Sequence, residues 1–235
     1  MFEEIIASGA GDMGLELPAR APGAFREYYE LLMERNREFN LTAIKGEEDA
    51  ARLHFLDSIA LLREYDFSGK RVIDIGTGAG FPGLPLLIAG PDIDLTLVDS
   101  TEKKVNFLRE VCEKTALTAR CIHGRAEELG NDPEYRERFD ITVSRAVARL
   151  NMLTELCMPF VKTGGAFIAM KSADSEEEIN EAKSAIKTLG GKISQVREYT
   201  LPGTDILRRA VVIEKISPTP GKYPRRFAKL SKAPL

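Results

Sequence analysis

Residues 72–83 read VIDIGTGAGFPG: a β-branched run, an acid, and then Gly76, Gly78, Gly80 and Gly83 within eight positions. Val72-Ile73-Asp74-Ile75 has the composition of a strand buried in a parallel sheet. Glycine accepts the positive φ of a sharp turn and, lacking Cβ, lets the backbone come within contact distance of a ligand. Gly76 and Gly78 are therefore expected to show their N–H groups to a bound molecule. Leu84 to Ala89 then form a short apolar helix, whose N-terminus carries free donors and favours a carboxylate or phosphate.

Strands and helices alternate from Phe67 to Ile216, which predicts a doubly wound, mostly parallel α/β sheet. Ile93 to Asp99, Ala119 to His123, Phe139 to Val143, Ala166 to Lys171, Lys192 to Thr200 and Arg209 to Lys215 read as its further strands. A helix is expected over Ser100 to Lys114, and an acidic, solvated one over Ser175 to Ala182. Upstream, a Pro and Gly cluster from Gly9 to Gly23 punctuates the N-terminus. Helical spacing follows over Phe25 to Glu38 and over Glu47 to Glu64, the latter with Leu53, Leu56, Ile59, Ala60 and Leu62 facing inward. The organisation expected is a helical cap over residues 1–66, an α/β core over 67–216 and a basic arm over 217–235. Asn40-Leu41-Thr42, between the cap helices, fits the mouth of a site and a capping turn equally well.

Gly78, Gly80 and Gly83 satisfy G-x-G-x-x-G, by itself a weak dinucleotide signal. With Asp74 two residues ahead of the first glycine, the longer D-x-G-x-G-x-G resembles motif I of the class I S-adenosylmethionine-dependent methyltransferases. The resemblance implies that 67–216 is a methyltransferase domain, with a Rossmann-like sheet whose last strand inserts antiparallel near one edge. It also implies an acid at position 74 that holds the cofactor's amino group directly or through water. A fixed carboxylate repels a pyrophosphate and attracts an ammonium, which favours the methyl donor over a dinucleotide. Asp99 ends its strand about 20 residues past the loop, the spacing of a carboxylate that accepts bonds from ribose hydroxyls. The competing reading of Asp99 is a helix-capping acid. Ala126-Glu127 can meet the adenine edge, although a surface helix acid explains Glu127 as well.

FNLTAI (Phe39 to Ile44), HFLDSI (His54 to Ile59), IDIGTGAGFPGLPL (Ile73 to Leu86), VDS with its downstream lysines (Val98 to Lys104), RAEE (Arg125 to Glu128), SRAVA (Ser144 to Ala148) and the terminal APL occur in order. Together they resemble the RsmG family, also called GidB, from about Tyr28 to Leu235. The resemblance implies methyl transfer from S-adenosylmethionine to N7 of a guanine in the decoding-region loop of 16S ribosomal RNA in the small ribosomal subunit, with S-adenosylhomocysteine as product. Gly76, Phe81, Ala126, Glu127 and Arg145 match positions the family uses for its cofactor; Asp74 and Asp99 carry over from the broader fold. The chain departs from the family pattern in three places. Arg35 precedes Asn36 where many members have Trp, and the sequence contains no Trp at all. Met170-Lys171-Ser172 stands where Met-Lys-Gly is usual. The arm from Pro224 to Leu235 keeps its basic residues but lacks the Pro-Gly and second Pro.

Guanine N7 holds an in-plane lone pair and no proton, so attack on a sulfonium methyl needs no general base, and alignment carries the work. Neither histidine is then required: His54 shares a helix face with Asp57, His123 ends a strand, and both read as packed or surface residues. Arg145, just past a strand's C-terminal end, is expected to orient cofactor or base through its fixed donor fork. The alternative for Arg145 is an ion pair on the sheet rim.

At 43% hydrophobic and 29% charged, 235 residues suffice for one α/β core plus an appendage. No apolar stretch reaches membrane-spanning length and the acidic MFEE start lacks a signal peptide's basic head, so a cytoplasmic address is expected. Cys112, Cys121 and Cys157 form no C-x-x-C pair, which points to free thiols and to no metal site. A net charge of −3 argues against an indiscriminate nucleic-acid binder, yet Lys215 to Leu235 holds six basic residues and no acid. Tyr223 and Phe227 interleave them, as suits phosphate neutralisation with base stacking. Lys171, Arg225, Arg226, Lys229 and Lys232 are thus the candidate RNA contacts, against a merely solvated tail. Removing the chain from Lys222 onward should weaken RNA binding and spare the cofactor. A monomer is expected. The rival readings are a class I methyltransferase with another RNA, protein or small-molecule acceptor, a non-catalytic ribosome-associated protein, and a nicotinamide-dependent enzyme.

Overall fold

The computed structural model describes residues 1–90, 92–145 and 148–235. Its centre is one seven-stranded sheet built from β1 (Arg71–Ile75), β2 (Asp94–Asp99), β3 (Arg120–His123), β4 (Phe139–Arg145), β5 (Val161–Ser172), β6 (Gly191–Thr200) and β7 (Leu207–Lys215), in the order β3-β2-β1-β4-β5-β7-β6. The first five strands are parallel, and β7 runs antiparallel between β5 and β6. The doubly wound class is as the alternation of strands and helices predicts, and the antiparallel insertion is as the methyltransferase resemblance implies. Strand order reverses between β1 and β4, and in open α/β sheets that reversal leaves a crevice at the carboxyl ends where ligands bind.

The sheet is buried on both faces, so alternate residues of each strand enter different cores. Val72, Leu95, Leu97, Ile141, Val143, Ala166, Ile168, Ala210 and Val212 join one core; Ile73, Ile75, Val98, Phe167, Ala169, Val211 and Ile213 join the other. The first core also takes the cap: α1 (Phe2–Asp12), α2 (Ala21–Asn36), α3 (Glu47–Ala50), the π-helical Ala51–Leu56, α4 (Asp57–Ile59) and α5 (Leu61–Glu64). The crossover helices are α6 (Gly83–Ala89), α7 (Glu102–Lys114), α8 (Ala126–Leu129), α9 (Leu150–Cys157) and α10 (Glu176–Thr188), and the arm carries α11 (Phe227–Lys232). Tyr223 and Leu230 of the arm belong to the second core. Neither appendage has a core of its own.

Several expectations need correction. Gly9 does not punctuate the N-terminus but sits inside α1, because a Cβ there would stand 2.4 Å from Leu56 Cδ1; its smallness lets α1 press on the π stretch. That π stretch widens the second cap helix and rotates the residues beyond it, so Phe55, Asp57, Ser58 and Leu61 are buried while Leu53 and Leu62 are only partly so. β4 continues through Ser144 and Arg145, paired with Ala169 and Met170 of β5. β5 begins at Val161, ahead of the expected Ala166, and a bulge between these two residues takes in Gly164 and Gly165. Ala146 and Val147 of the SRAVA segment lie outside the described residues. Arg35, the departure at the family's Trp position, forks onto Glu110 at 2.9 and 2.6 Å and so ties α2 to α7.

The basic arm is corrected most. Lys215 is fully buried, with Nζ donating to Met158 O at 2.7 Å and Thr219 Oγ1 at 2.6 Å and pairing with Glu137 at 3.1 Å. Burial pushes it down to about 8, opposed by Glu137. Tyr223 is likewise inside, unavailable to a base. Arg225 forks onto Glu155, itself fully buried, at 2.8 and 2.5 Å, and its backbone N–H donates to the same carboxylate. Arg136 donates to the carbonyls of Gly130, Thr219 and Tyr223 at 2.8 Å each, and Asn131 donates to Pro224 O at 3.0 Å. The segment is a fastened strap, and cutting it at Lys222 would open the second core. Arg226, Lys229 and Lys232 remain exposed.

Removing one partner of a buried ion pair leaves the other charge uncompensated. Arg225→Ala should lower stability by roughly 3 kcal/mol and the melting temperature by about 6–12 °C, whereas the neighbouring Arg226→Ala stays within about 0.5 kcal/mol of the parent. Thermal and urea unfolding of the two variants check this.

Candidate active site at the strand ends

The glycine loop turns its donors inward, contrary to expectation. Gly76 N and Thr77 N donate to Val98 O at 2.9 and 3.1 Å, and Gly78 N donates to Asp99 Oδ2 at 3.0 Å. Gly83 N, in the first turn of α6, donates to Asp74 Oδ2 at 2.9 Å, where Thr77 Oγ1 also donates at 2.7 Å. The anion that this helix terminus favours is thus supplied by the protein itself. Smallness is required at two positions. A Cβ on Gly80, whose φ is +102°, would stand 2.5 Å from the Tyr28 hydroxyl, and one on Gly83 would stand 2.9 Å from Asp74 Oδ2.

Asp74 is fully buried, and its Oδ1 has no hydrogen-bond partner among the described residues. Burial pushes its carboxyl up to about 6, against the opposing bonds from Thr77 and Gly83. An acid with one orphaned oxygen, behind a loop whose amides are spent on carboxylates and carbonyls, suits a cationic group and not a pyrophosphate. The residues present therefore fit a ligand with an ammonium.

Beyond the loop, a cavity of about 170 Å³ opens between the ends of β1, β2 and β3, lined by Gly76, Asp99, Ser100, Ala126, Glu127 and Phe227 among others. Asp99 is nearly buried; its Oδ1 accepts from Thr101 N at 2.9 Å, so the acid serves both the loop and the start of α7. Lys104 approaches it at 3.8 Å. Glu127 is 9% exposed, with Arg125 at 3.9 Å, and so is not the surface helix acid of the competing reading. The structure brings Gly76, Asp99, Ala126 and Glu127 to one cavity. Phe227 was missed as part of it: the sequence pairs its aromatic character with the cations beside it, and nothing local shows that the arm returns to the sheet.

A second hollow, about 480 Å³, lies at the ends of β4, β5 and β7 and is lined by Leu53, His54, Asp57, Arg145, Lys171 and Glu178, with Arg208 and Met170. Arg145 reaches across from β4 into the π stretch. Its Nη1 donates to Leu53 O at 3.1 Å and to Asp57 Oδ2 at 3.2 Å, its Nη2 meets His54 Nδ1 at 3.1 Å, and its guanidinium lies 5.0 Å from the Phe81 ring centre. A guanidinium can only donate, so Nδ1 of His54 accepts and the proton sits on Nε2, which donates to Thr42 Oγ1 at 2.7 Å. Burial, and then Arg145, push His54 down to about 3, which keeps the imidazole neutral. Asp57 is held by Arg145, by Arg208 at 3.6 Å and by the Tyr199 hydroxyl at 3.2 Å; burial nonetheless raises its carboxyl above the ordinary range. Thr42 and Asn36, which caps the loop through Leu41 N and Thr42 N, give the FNLTAI segment its place beside the hollow.

Phe81 and Lys171 are each committed elsewhere. The Phe81 ring is 5% exposed and stacks with Tyr28 at 5.3 Å and His54 at 4.5 Å, so its side chain braces the loop. Lys171 pairs with Glu178 at 2.6 Å and donates to Ala148 O, leaving 9% of the side chain exposed. A larger hollow, about 1210 Å³ between α2 and the 36–45 loop, includes none of the strand ends. Among the described residues no cluster of His, Cys, Asp or Glu is suited to a metal ion, and no helix is long and apolar enough to cross a membrane.

Comparison with known proteins bears on this site. The family profile GidB, rRNA small subunit methyltransferase G, matches residues 23–207. The chain is 46% identical over 236 residues to ribosomal RNA small subunit methyltransferase G of Alkaliphilus oremlandii, covering 100% of this chain and 99% of that one. The protein of the same name from Pelotomaculum thermopropionicum is 47% identical over 237 residues, with 100% and 99% covered. Among solved structures, a SAM dependent methyltransferase from Aquifex aeolicus superposes with a TM-score of 0.53 at 18% identity over 70% of this chain and 92% of that one. A methyltransferase from Pyrococcus furiosus gives 0.54 at 15% identity over 81% and 96%. At such identities the structural likeness speaks for the fold alone.

The neutral His54 has a consequence for stability. The unfolded chain takes up the imidazole proton near pH 6.5, the folded chain only near 3, so between these values the unfolded state binds more protons and stability rises with pH. His54→Gln should therefore show a shallower loss of unfolding free energy than the parent as pH falls from 6.5, the difference being at most about 1.4 kcal/mol per pH unit. Urea titrations at stepped pH read it; parallel curves would contradict the assignment.

Proposed function

The chain belongs to the GidB family, rRNA small subunit methyltransferase G, and we propose that it transfers the methyl group of S-adenosylmethionine to N7 of a guanine in the decoding-region loop of 16S ribosomal RNA. The observation that carries the reading in the structure is the placement of two acids, Asp74 and Asp99, on the donors of the glycine loop. In this reading Asp74 Oδ1 takes the ammonium of the cofactor, Asp99 takes ribose hydroxyls, and Ala126 with Glu127 meets the adenine edge. The cofactor supplies an electrophilic methyl on a sulfonium. A ribosomal substrate puts the reaction in the cytoplasm, and the enzyme is read as a monomer whose catalytic domain is residues 67–216, under the cap and strapped by the arm.

The acceptor base enters the 480 Å³ hollow, within the usual range of about 300–1,000 Å³ for ligand sites. A loop guanine can be swung out at a cost of a few kcal/mol or less. Guanine presents two donors, N1–H and the N2 amine, on the edge away from N7. Glu178 suits that edge: its Oε1 accepts from Leu150 N and Lys171, and Oε2 accepts no bond among the described residues. Arg145 acts as a positioning residue, since its donors hold Asp57, His54 and the Leu53 carbonyl. With N7 bearing no proton, neutral His54 need not act as a base. Alignment by such a fixed wall can account for roughly 7–11 kcal/mol of barrier.

The test is transfer of a radiolabelled methyl group to small subunits from a strain lacking this activity, followed by mapping of the product. Label on guanine N7 in the decoding-region loop is the expected result; label on another base or on protein overturns the acceptor. For the arm, replacing Arg226, Lys229 and Lys232 together by Ala should flatten the dependence of log affinity on log salt by about 2, at roughly 0.7 per single-strand phosphate contact, with the melting temperature unchanged. An unaltered slope means that these cations do not meet RNA.

A further inference from the structure

Phe227 is 43% exposed, while Tyr223 before it and Leu230 after it are buried. Its ring does not face bulk solvent alone. It lines the 170 Å³ cavity opposite residues of the β2 and β3 ends, and on its other side borders a hollow of about 670 Å³ with Arg125, Asn131 and Arg226. The ring is thus a partition at the mouth of the cavity. The attachments upstream anchor the backbone that carries it: Arg225 on buried Glu155 two residues before it, Asn131 on Pro224 O, and Arg136 on the strap carbonyls.

We propose that Phe227 is a cofactor-contacting residue, its ring packing on the face of the adenine of S-adenosylmethionine. The inference rests on the cofactor site read above. Asp99 and the Ala126-Glu127 pair bound the same cavity, so a ribose at Asp99 carries its base toward Ala126, Glu127 and Phe227. A purine offers a flat π-face, an exposed phenyl ring is its natural cover, and base–aromatic stacking is worth about 1–3 kcal/mol per base. At 170 Å³ the cavity is below the usual size of a nucleoside site, so the side chain turns aside on its anchored backbone to admit the base, and the ring then covers the base's outer face. Among the described residues, Phe227 is the part of the arm that lines the cavity. The aromatic therefore makes the arm a wall of the cofactor site, and its role is contact with the methyl donor, not stacking on RNA.

The absence of any Trp gives a direct test, because Phe227→Trp introduces a sole indole. S-adenosylhomocysteine is titrated into the full-length parent, Phe227→Ala and Phe227→Tyr by calorimetry, and into Phe227→Trp by fluorescence, with melting temperatures as the folding control. Phe227→Ala should raise Kd about 5- to 150-fold, the fold-change that such stacking implies; Phe227→Tyr should stay within about 3-fold; and the indole emission should change saturably with a matching Kd. Parental affinity in Phe227→Ala, or indole emission unmoved while calorimetry records binding, overturns the role of the ring and leaves the cofactor site standing. A parent that binds no S-adenosylhomocysteine overturns both.

Discussion

One guanidinium joins the three parts that make the site. Arg145 leaves the end of a central strand and donates into the π-helical turn of the cap, where Leu53 O, His54 Nδ1 and Asp57 converge, while its planar face lies over Phe81 of the glycine loop. An ordinary α-helical turn would place His54 and Asp57 differently; the wider turn presents both to one fork. From that contact follow the imidazole's tautomer, its neutrality and its bond to Thr42, so the cap, the loop and the sheet are registered together. The alternative of a rim ion pair for Arg145 captures its partner Asp57 but not this burial, since only 14% of the side chain is exposed.

The electrostatic character of the cleft is set by which groups satisfy the loop. Backbone amides at a helix start ordinarily invite an anion. Here two carboxylates take them, and the residual field of the loop is that of acids with their donors already used. Carboxylates so placed would repel a phosphate and attract an ammonium. The same D-x-G-x-G-x-G spacing that separates the two ligand classes in the sequence has this physical basis in the fold.

Local patterns were legible and long-range commitments were not. The buried strand at Val72 to Ile75, the turn after it and the alternation of strands and helices are written in residue types a few positions apart, and the sheet follows them. Asp74 and Asp99 could be placed at the loop from spacing, but not the direction in which the amides point. Among the basic residues of the arm, Lys215 and Arg225 look like Lys229 and Lys232 in the sequence. Their partners Glu137 and Glu155 lie 78 and 70 positions away, so nothing nearby marks the first two as interior charges. Gly9 is similar: a glycine that reads as a breaker is retained in a helix because another helix approaches it. The π stretch likewise has no local signature.

Arg136 grips the arm through carbonyl oxygens, a group every amino acid supplies. Between Thr219 and Tyr223 the path of the strap is thereby held in part by its backbone, whatever side chains those positions carry. Pro220, whose carbonyl accepts from Tyr223 N at 3.0 Å and from Arg136 Nη2 at 3.4 Å, can be exchanged without removing that acceptor, whereas a change at Arg136 loses the bonds to Thr219, Pro220 and Tyr223 together. Such main-chain holds, together with Arg225 on Glu155, let the segment bring an aromatic ring to the cavity without the Pro-Gly turn, and they leave the outward positions free to vary.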